Sequence, residues 1–118
     1  MFKITRVFSD SEGDSHFEDI QILLFDEGSI GRLSSGFQAG EVIFREVKPD
    51  YDYNFHCAPA RQFIILLDGA IEIETSLGEI RRFDAGEILL MEDTTGKGHK
   101  TRNIYSRTRR SVFITLNN

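Results

Sequence analysis

The chain has 118 residues, enough for one domain with one hydrophobic core and too few for two. With 40% hydrophobic and 28% charged residues it is neither a disordered nor a membrane composition. A formal net charge of -5 argues against nucleic acid as a general partner. The longest wholly apolar run, Phe63 to Leu67, is far too short to span a bilayer, so no membrane partner is expected.

The N-terminus has a lysine but no apolar h-region and no small-residue cleavage site, so no signal peptide is expected. The single cysteine, Cys57, has no internal partner and suits a reducing cytoplasm. Charge is unevenly spread. Six of the fourteen Lys and Arg fall between Lys97 and Arg110, where there is no acid, leaving eight basic against nineteen acidic residues elsewhere. The plain reading of that stretch is a solvated loop and strand face. The sharper one is a patch for an anionic small molecule or an acidic partner.

No repeat, low-complexity run or Pro/Gly linker divides the chain, which reads as one domain over residues 1–118. Phe2 to Phe8 is the first predicted strand. Ser9 to Ser15 is a polar loop, and Phe17 to Phe25 is a second strand or a short pair. A loop over Gly28 to Gly36 precedes a strand from Gly40 to Val47 and a turn at Lys48 to Asp50. Tyr53 to Cys57 is extended, and Pro59 turns it into Gln62 to Leu67, a β-rich run apolar enough to be buried on both faces.

Asp68-Gly69 reads as a tight hairpin turn into Ala70 to Thr75. There Ile71 and Ile73 alternate with Glu72 and Glu74, so one face is wet. Ser76 to Gly78 turns into Glu79 to Phe83. Glu87 to Met91, His99 to Tyr105 and Val112 to Leu116 complete the set. No window of helical length carries a 3.6-residue period, so the fold class is all-β, a sandwich or barrel.

Of the three histidines, His16 lies at the edge of an early strand and has no assigned role. His56 and His99 lie on later strands, where imidazoles can converge inside a small barrel. After His56 come Ala58, Gln62 and Gly69; around His99 come Gly96 and Asn103, with Thr94 further back and Gly86-Glu87 between the two groups. This spacing resembles the cupin superfamily. Its first motif runs histidine, any residue, histidine, then glutamate and glycine, and its second runs proline, glycine, histidine and asparagine. The matching region spans about residues 50–105. The run Asp93 to His99 also looks like that of small single-domain bacterial cupins.

The resemblance implies a small double-stranded β-helix, or jelly-roll, barrel. It also implies a divalent metal held by three histidines and one glutamate. Ala58 stands where the second histidine is expected, Thr94 where the proline is, and Gln62 where the glutamate is. The metal set reduces to His56, Gln62 and His99, which would hold Zn, Ni, Fe or Mn weakly or not at all.

Strand alternation places Asn54 with His56, and Thr101 with His99, on inward faces, and sends Cys57, Lys100 and Arg102 outward. The expected ligand site is then His56, Gln62, His99, Thr101 and Asn54, walled by Ile64, Leu66, Ile71 and Ile73. Alternatively these groups satisfy one another and an ordered water.

Three functional readings follow. One is a domain that binds a small polar or anionic molecule. Another is a metal-dependent enzyme of the dioxygenase, isomerase or lyase type using His56 and His99. Scaffolding for a protein partner is a third. A homodimer is also expected, because the apolar strand Phe2 to Phe8 needs covering.

Overall fold

The computed structural model describes residues 1–117. Twelve strands and one 3₁₀ turn at Gly28–Ile30 make up its regular structure. The strands are β1 (Phe2–Ser9), β2 (Ser15–Ile22), β3 (Phe25–Asp26), β4 (Arg32–Leu33), β5 (Ala39–Val47) and β6 (Asp52–His56). After them come β7 (Gln62–Leu66), β8 (Ala70–Thr75), β9 (Ile80–Asp84), β10 (Ile88–Met91), β11 (His99–Asn103) and β12 (Arg109–Leu116). Among the described residues no helix is long and apolar enough to cross a membrane.

The last eight strands behave as one long antiparallel hairpin rolled across itself. β8 pairs with β9 at its tip, then β7 with β10, β6 with β11 and β5 with β12. Rolling deals these pairs alternately into two sheets, β6-β11-β8-β9 and β10-β7-β12-β5. That winding is the jelly roll the resemblance implies. β1 and β2 extend the second sheet, with β1 parallel to β10, giving six strands in the order β2-β1-β10-β7-β12-β5. Among the described residues the two sheets share no hydrogen-bonded ladder, so the jelly roll is a sandwich of two sheets rather than a closed barrel.

The core lies between the sheets. Val7, Leu66, Leu89 and Met91 from the large sheet meet Ile71, Ile73 and Phe83 from the small one. Ile71 and Ile73 are buried while Glu72 and Glu74 are more open, as the alternation predicts. A second apolar cluster, Ile4, Leu90 and Leu116 with Ile20, Phe63 and Ile88, covers the outer face of the large sheet. Phe37 packs edge-on against Phe63 there, at 5.1 Å between ring centroids.

Several local expectations are corrected. Asp68-Gly69 does not close a hairpin: it carries the chain from β7 in one sheet to β8 in the other. Only Gly69 takes positive φ (67°), whereas the primed two-residue turn that best joins paired strands puts both residues there. β7 is buried at Gln62 and Leu66 but only half-buried between them. β1 is not an exposed edge, since it lies between β2 and β10, so the reason first given for a dimer does not hold.

Candidate functional site

His56 ends β6, and His99 begins β11 directly opposite it. Their ring centroids are 4.6 Å apart. His99 is buried and His56 lies nearer the mouth of the cavity. Gly98 makes this pairing possible. Its φ is +75°, and a Cβ there would fall 2.2 Å from the carbonyl oxygen of His56, so only glycine lets the two backbones approach.

Each imidazole is held through Nδ1. His56 Nδ1 donates to the carbonyl of Asn54 at 2.7 Å. His99 Nδ1 donates to Oδ2 of Asp93 at 2.5 Å. In both rings Nε2 is the nitrogen left for cavity chemistry. Burial holds the His56 imidazole below its ordinary pKa, with the neighbouring His99 and Arg45 acting in the same direction and the Asn54 carbonyl and Asp93 against it. The free base is therefore its favoured form near neutrality.

Gln62 begins β7 and reaches the same space from the opposite sheet, and Thr101 follows His99 along β11. The cavity, open at one side, is about 420 Å³. His56, Gln62, His99 and Thr101 all line it, as do Ile64, Leu66, Ile71 and Ile73.

Asn54 does not. It is exposed, and its Oδ1 accepts from the Phe55 amide. A bulge is the cause: His56 lies opposite His99, but Tyr53 lies opposite Thr101, so three steps on β6 match two on β11. Tyr53 takes the inward-facing place at the mouth, its ring centroid 4.1 Å from that of His56. Cys57 also differs from expectation. It lies beyond the end of β6, where alternation no longer applies, and reaches the cavity wall with Sγ donating to Gly96 O at 3.2 Å.

The sequence reading missed Asp93, Arg45, Tyr51 and Arg109. Asp93 is fully buried just beyond β10, and its backbone oxygen accepts from the Ala58 amide. Its neighbour Glu92 points away and lies between Arg6 and Arg61. Arg45 and Tyr51 line the cavity, while Arg109 is buried beside them and donates through Nε to Asn103 Oδ1 at 2.9 Å. Asn103 is thereby a structural clamp, its Nδ2 donating to Lys48 O at 3.2 Å. The other basic residues of the Lys97–Arg110 stretch are largely neutralised outside the cavity. Lys97 pairs with Asp14, Arg102 with Glu72 and Arg110 with Asp68.

The donor set does not fit the divalent metal implied by the resemblance. Ala58 lies on the cavity wall at the position of a third imidazole, and Gln62 supplies only a neutral amide. Asp93, the nearby carboxylate, is engaged with His99. Among the described residues no group of three or more His, Cys, Asp or Glu side chains could hold a metal ion. Two imidazoles and an amide fall short of a tight site.

No family model and no curated protein matches the chain. Several solved structures are similar to it. One is an RmlC-like cupin protein from Desulfovibrio desulfuricans, at 13% identity over 96% of this chain and 81% of that one, with a TM-score of 0.46. Another is a sugar phosphate isomerase from a cupin superfamily, from Silicibacter pomeroyi, at 16% identity over 100% of this chain and 72% of that one, TM-score 0.49. A third is a conserved protein of unknown function from Streptococcus pyogenes, at 15% identity over 73% of this chain and 70% of that one, TM-score 0.47. Identities this low carry no information on chemistry.

Proposed function

We infer that this small cupin-type jelly roll is a binding domain for a small polar or anionic molecule, taken up between its two sheets. The observation that carries the reading is the cavity: about 420 Å³, walled by aliphatic side chains, with His56, Gln62, His99 and Thr101 converging on it. Concave apolar walls with a few placed polar groups are the usual form of a small-molecule site. A neutral imidazole fixed through Nδ1 offers Nε2 as an acceptor, and Gln62 and Thr101 offer both donors and acceptors.

The test is thermal melting of the metal-free protein against a panel of neutral polyols, sugars, carboxylates and phosphates. Binding to the folded state raises the melting temperature by mass action. The reading expects at least one class to do so, with the rise unchanged by chelator. No shift from any class would overturn it.

A second reading, a metal-dependent enzyme of the dioxygenase, isomerase or lyase type, draws on the two Nδ1 hydrogen bonds, which orient His56 and His99 as ligating histidines are oriented. The poor donor set ranks it second. Stoichiometric metal retained through purification, and lost in His99→Ala, would reverse that order.

We also expect a homodimer in the cytoplasm. The ground for the dimer is β5, a sheet edge that leaves Val42 56% and Phe44 81% exposed. A monomer mass by light scattering at micromolar concentration would refute it. One thiol and no disulfide suit a reducing compartment.

A further inference from the structure

Two arginines lie at or beside the cavity wall: Arg45 lines it, and Arg109 is buried next to it. Arg45 on β5 lies opposite Ser111 on β12, and Val47 lies opposite Arg109. Residues directly opposite in an antiparallel pair share a face, and residues two apart along a strand do too. Arg45, Val47, Arg109, Ser111 and Phe113 therefore all face inward, on the same side as Ile64 and Leu66 of β7.

Arg45 lines the cavity, half-buried, with its guanidinium 4.5 Å from the centroid of the Phe113 ring and 5.3 Å from that of Tyr51. Its Nε donates a long hydrogen bond to Ser111 Oγ, at 3.4 Å. Arg109, on the next inward pair, is 1% exposed, and its guanidinium lies 5.6 Å from the Tyr51 centroid. Nη1 and Nη2 of Arg109 are buried and make no hydrogen bond to any described residue. Neither arginine forms an ion pair among the described residues, in contrast to the surface cations Arg102 and Arg110.

Two like charges side by side in a partly dry site repel each other, and each is costly to desolvate. The Tyr51 face returns only part of that cost. The burial of Arg109 and its proximity to Arg45 weaken its hold on its proton. Asp68 acts on Arg109 only at longer range and is itself paired with Arg110, so neither inward cation has a paired acid among the described residues, and a negative group beside them would relieve their repulsion.

We propose that the ligand of this cavity carries an oxyanion, a carboxylate or a phosphate, seated against Arg45 over Tyr51 with the buried charge of Arg109 behind it. The rest of the molecule extends along the aliphatic walls toward His56 and His99. The proposal rests on the binding-domain reading and narrows its ligand class. Guanidinium groups suit planar carboxylate and tetrahedral phosphate oxygens alike.

The experiment titrates the metal-free protein at constant ionic strength with inorganic phosphate, with succinate and with the uncharged diamide of succinate, read by melting temperature and calorimetry. The variants are Arg45→Met, Arg109→Met and, as a surface control, Arg102→Ala. Phosphate or succinate, but not the diamide, is expected to bind the native protein and Arg102→Ala alike. Which of the two binds identifies the anion. Arg45→Met should weaken that binding by about ten- to a hundredfold, the usual loss of a charged hydrogen bond. Arg109→Met should do the same where it folds, and Arg45→Met, on a half-buried side chain, decides the matter where it does not. Anion binding that survives Arg45→Met unchanged would overturn the proposal. Binding of neutral polyols or of the diamide, without either anion, would overturn it while leaving the binding-domain reading intact. Loss of all binding by every class would remove both.

Discussion

His99 Nδ1 and Asp93 Oδ2 meet at 2.5 Å, with the His99 side chain 5% and the Asp93 side chain 0% exposed. Removing the acceptor leaves a buried donor without a partner, which costs about 1–3 kcal/mol. Asp93→Ala is expected to lose that much in urea unfolding, and Asp93→Asn less, because its amide oxygen still accepts from Nδ1. In Asp93→Ala the nitrogen NMR signals of His99 should show a redistribution of its tautomers, and in Asp93→Asn a smaller one. An Asp93→Ala protein as stable as the native one, with an unchanged His99 signature, would mean that the pair does not orient the ring.

Gly98 and Gly78 separate backbone strain from close approach. Both have positive φ, 75° and 89°, but a Cβ at Gly78 meets nothing within 4 Å, whereas at Gly98 it meets the backbone of His56. Gly78→Ala should cost about 1–2 kcal/mol, the cost of the left-handed conformation. Gly98→Ala should cost about 3 kcal/mol or more and should displace His56, because a backbone carbonyl cannot rotate aside as a side chain can. Urea unfolding of the two variants gives the comparison, and equal losses would contradict the close contact.

The His56 imidazole predicts a pH dependence of definite sign. Burial places its folded-state pKa below the ordinary value of about 6.5, so the unfolded chain binds the proton more readily. The stability contributed by His56 is full above pH ~6.5 and is lost as the pH falls through that value and on through the lower folded one. Asp10, Asp14, Asp19, Asp68 and Glu92 are all held below their ordinary values, so their losses begin only in the carboxylate range. Melting temperature measured between pH 7.5 and 5.5 should therefore fall in the native protein and fall less in His56→Gln. The same slope in both would assign the effect to another group.

What was legible in the sequence, and what was not, follows from the range of each signal. The Ile71-Glu72-Ile73-Glu74 alternation and the His99-Thr101 pair are read correctly because period two holds along an unbroken strand. It fails at Asn54 because the bulge that brings Tyr53 inward depends on the partner strand β11. Asp93 is invisible because it lies past the end of β10, where adjacent residues no longer alternate in a known way. Arg109 is hidden inside a basic run whose other members are solvated, and only the register of β12 on β5 and β7 turns it inward. Asp68-Gly69 has the composition of a hairpin turn, but composition cannot say which sheet the next strand joins.

The last expectation concerns the ligands this site lacks. Ala58 is 5% exposed and lies on the cavity wall two residues beyond His56, so a histidine there would enter the space His56 and His99 share. Gln62, 4% exposed, reaches it from β7, and glutamate has nearly the same shape with a negative charge added. Ala58→His with Gln62→Glu would give three imidazoles and a carboxylate, a donor set suited to nickel, zinc or iron. Asp93 already supports His99, and the Asn54 carbonyl supports His56, so two of the three imidazoles keep their orienting partners. The new histidine has no such partner, and its bulk must fit a wall built around a methyl group, so affinity should stay below that of a fully supported site. Calorimetric titration with nickel and with zinc should show at least about a hundredfold tighter binding in the double variant than in the native protein. Equal and negligible binding by both would mean that positions 56, 58, 62 and 99 do not converge. Equal and tight binding by both would mean that two imidazoles and an amide suffice here, and the metal-dependent reading would then replace the metal-free one.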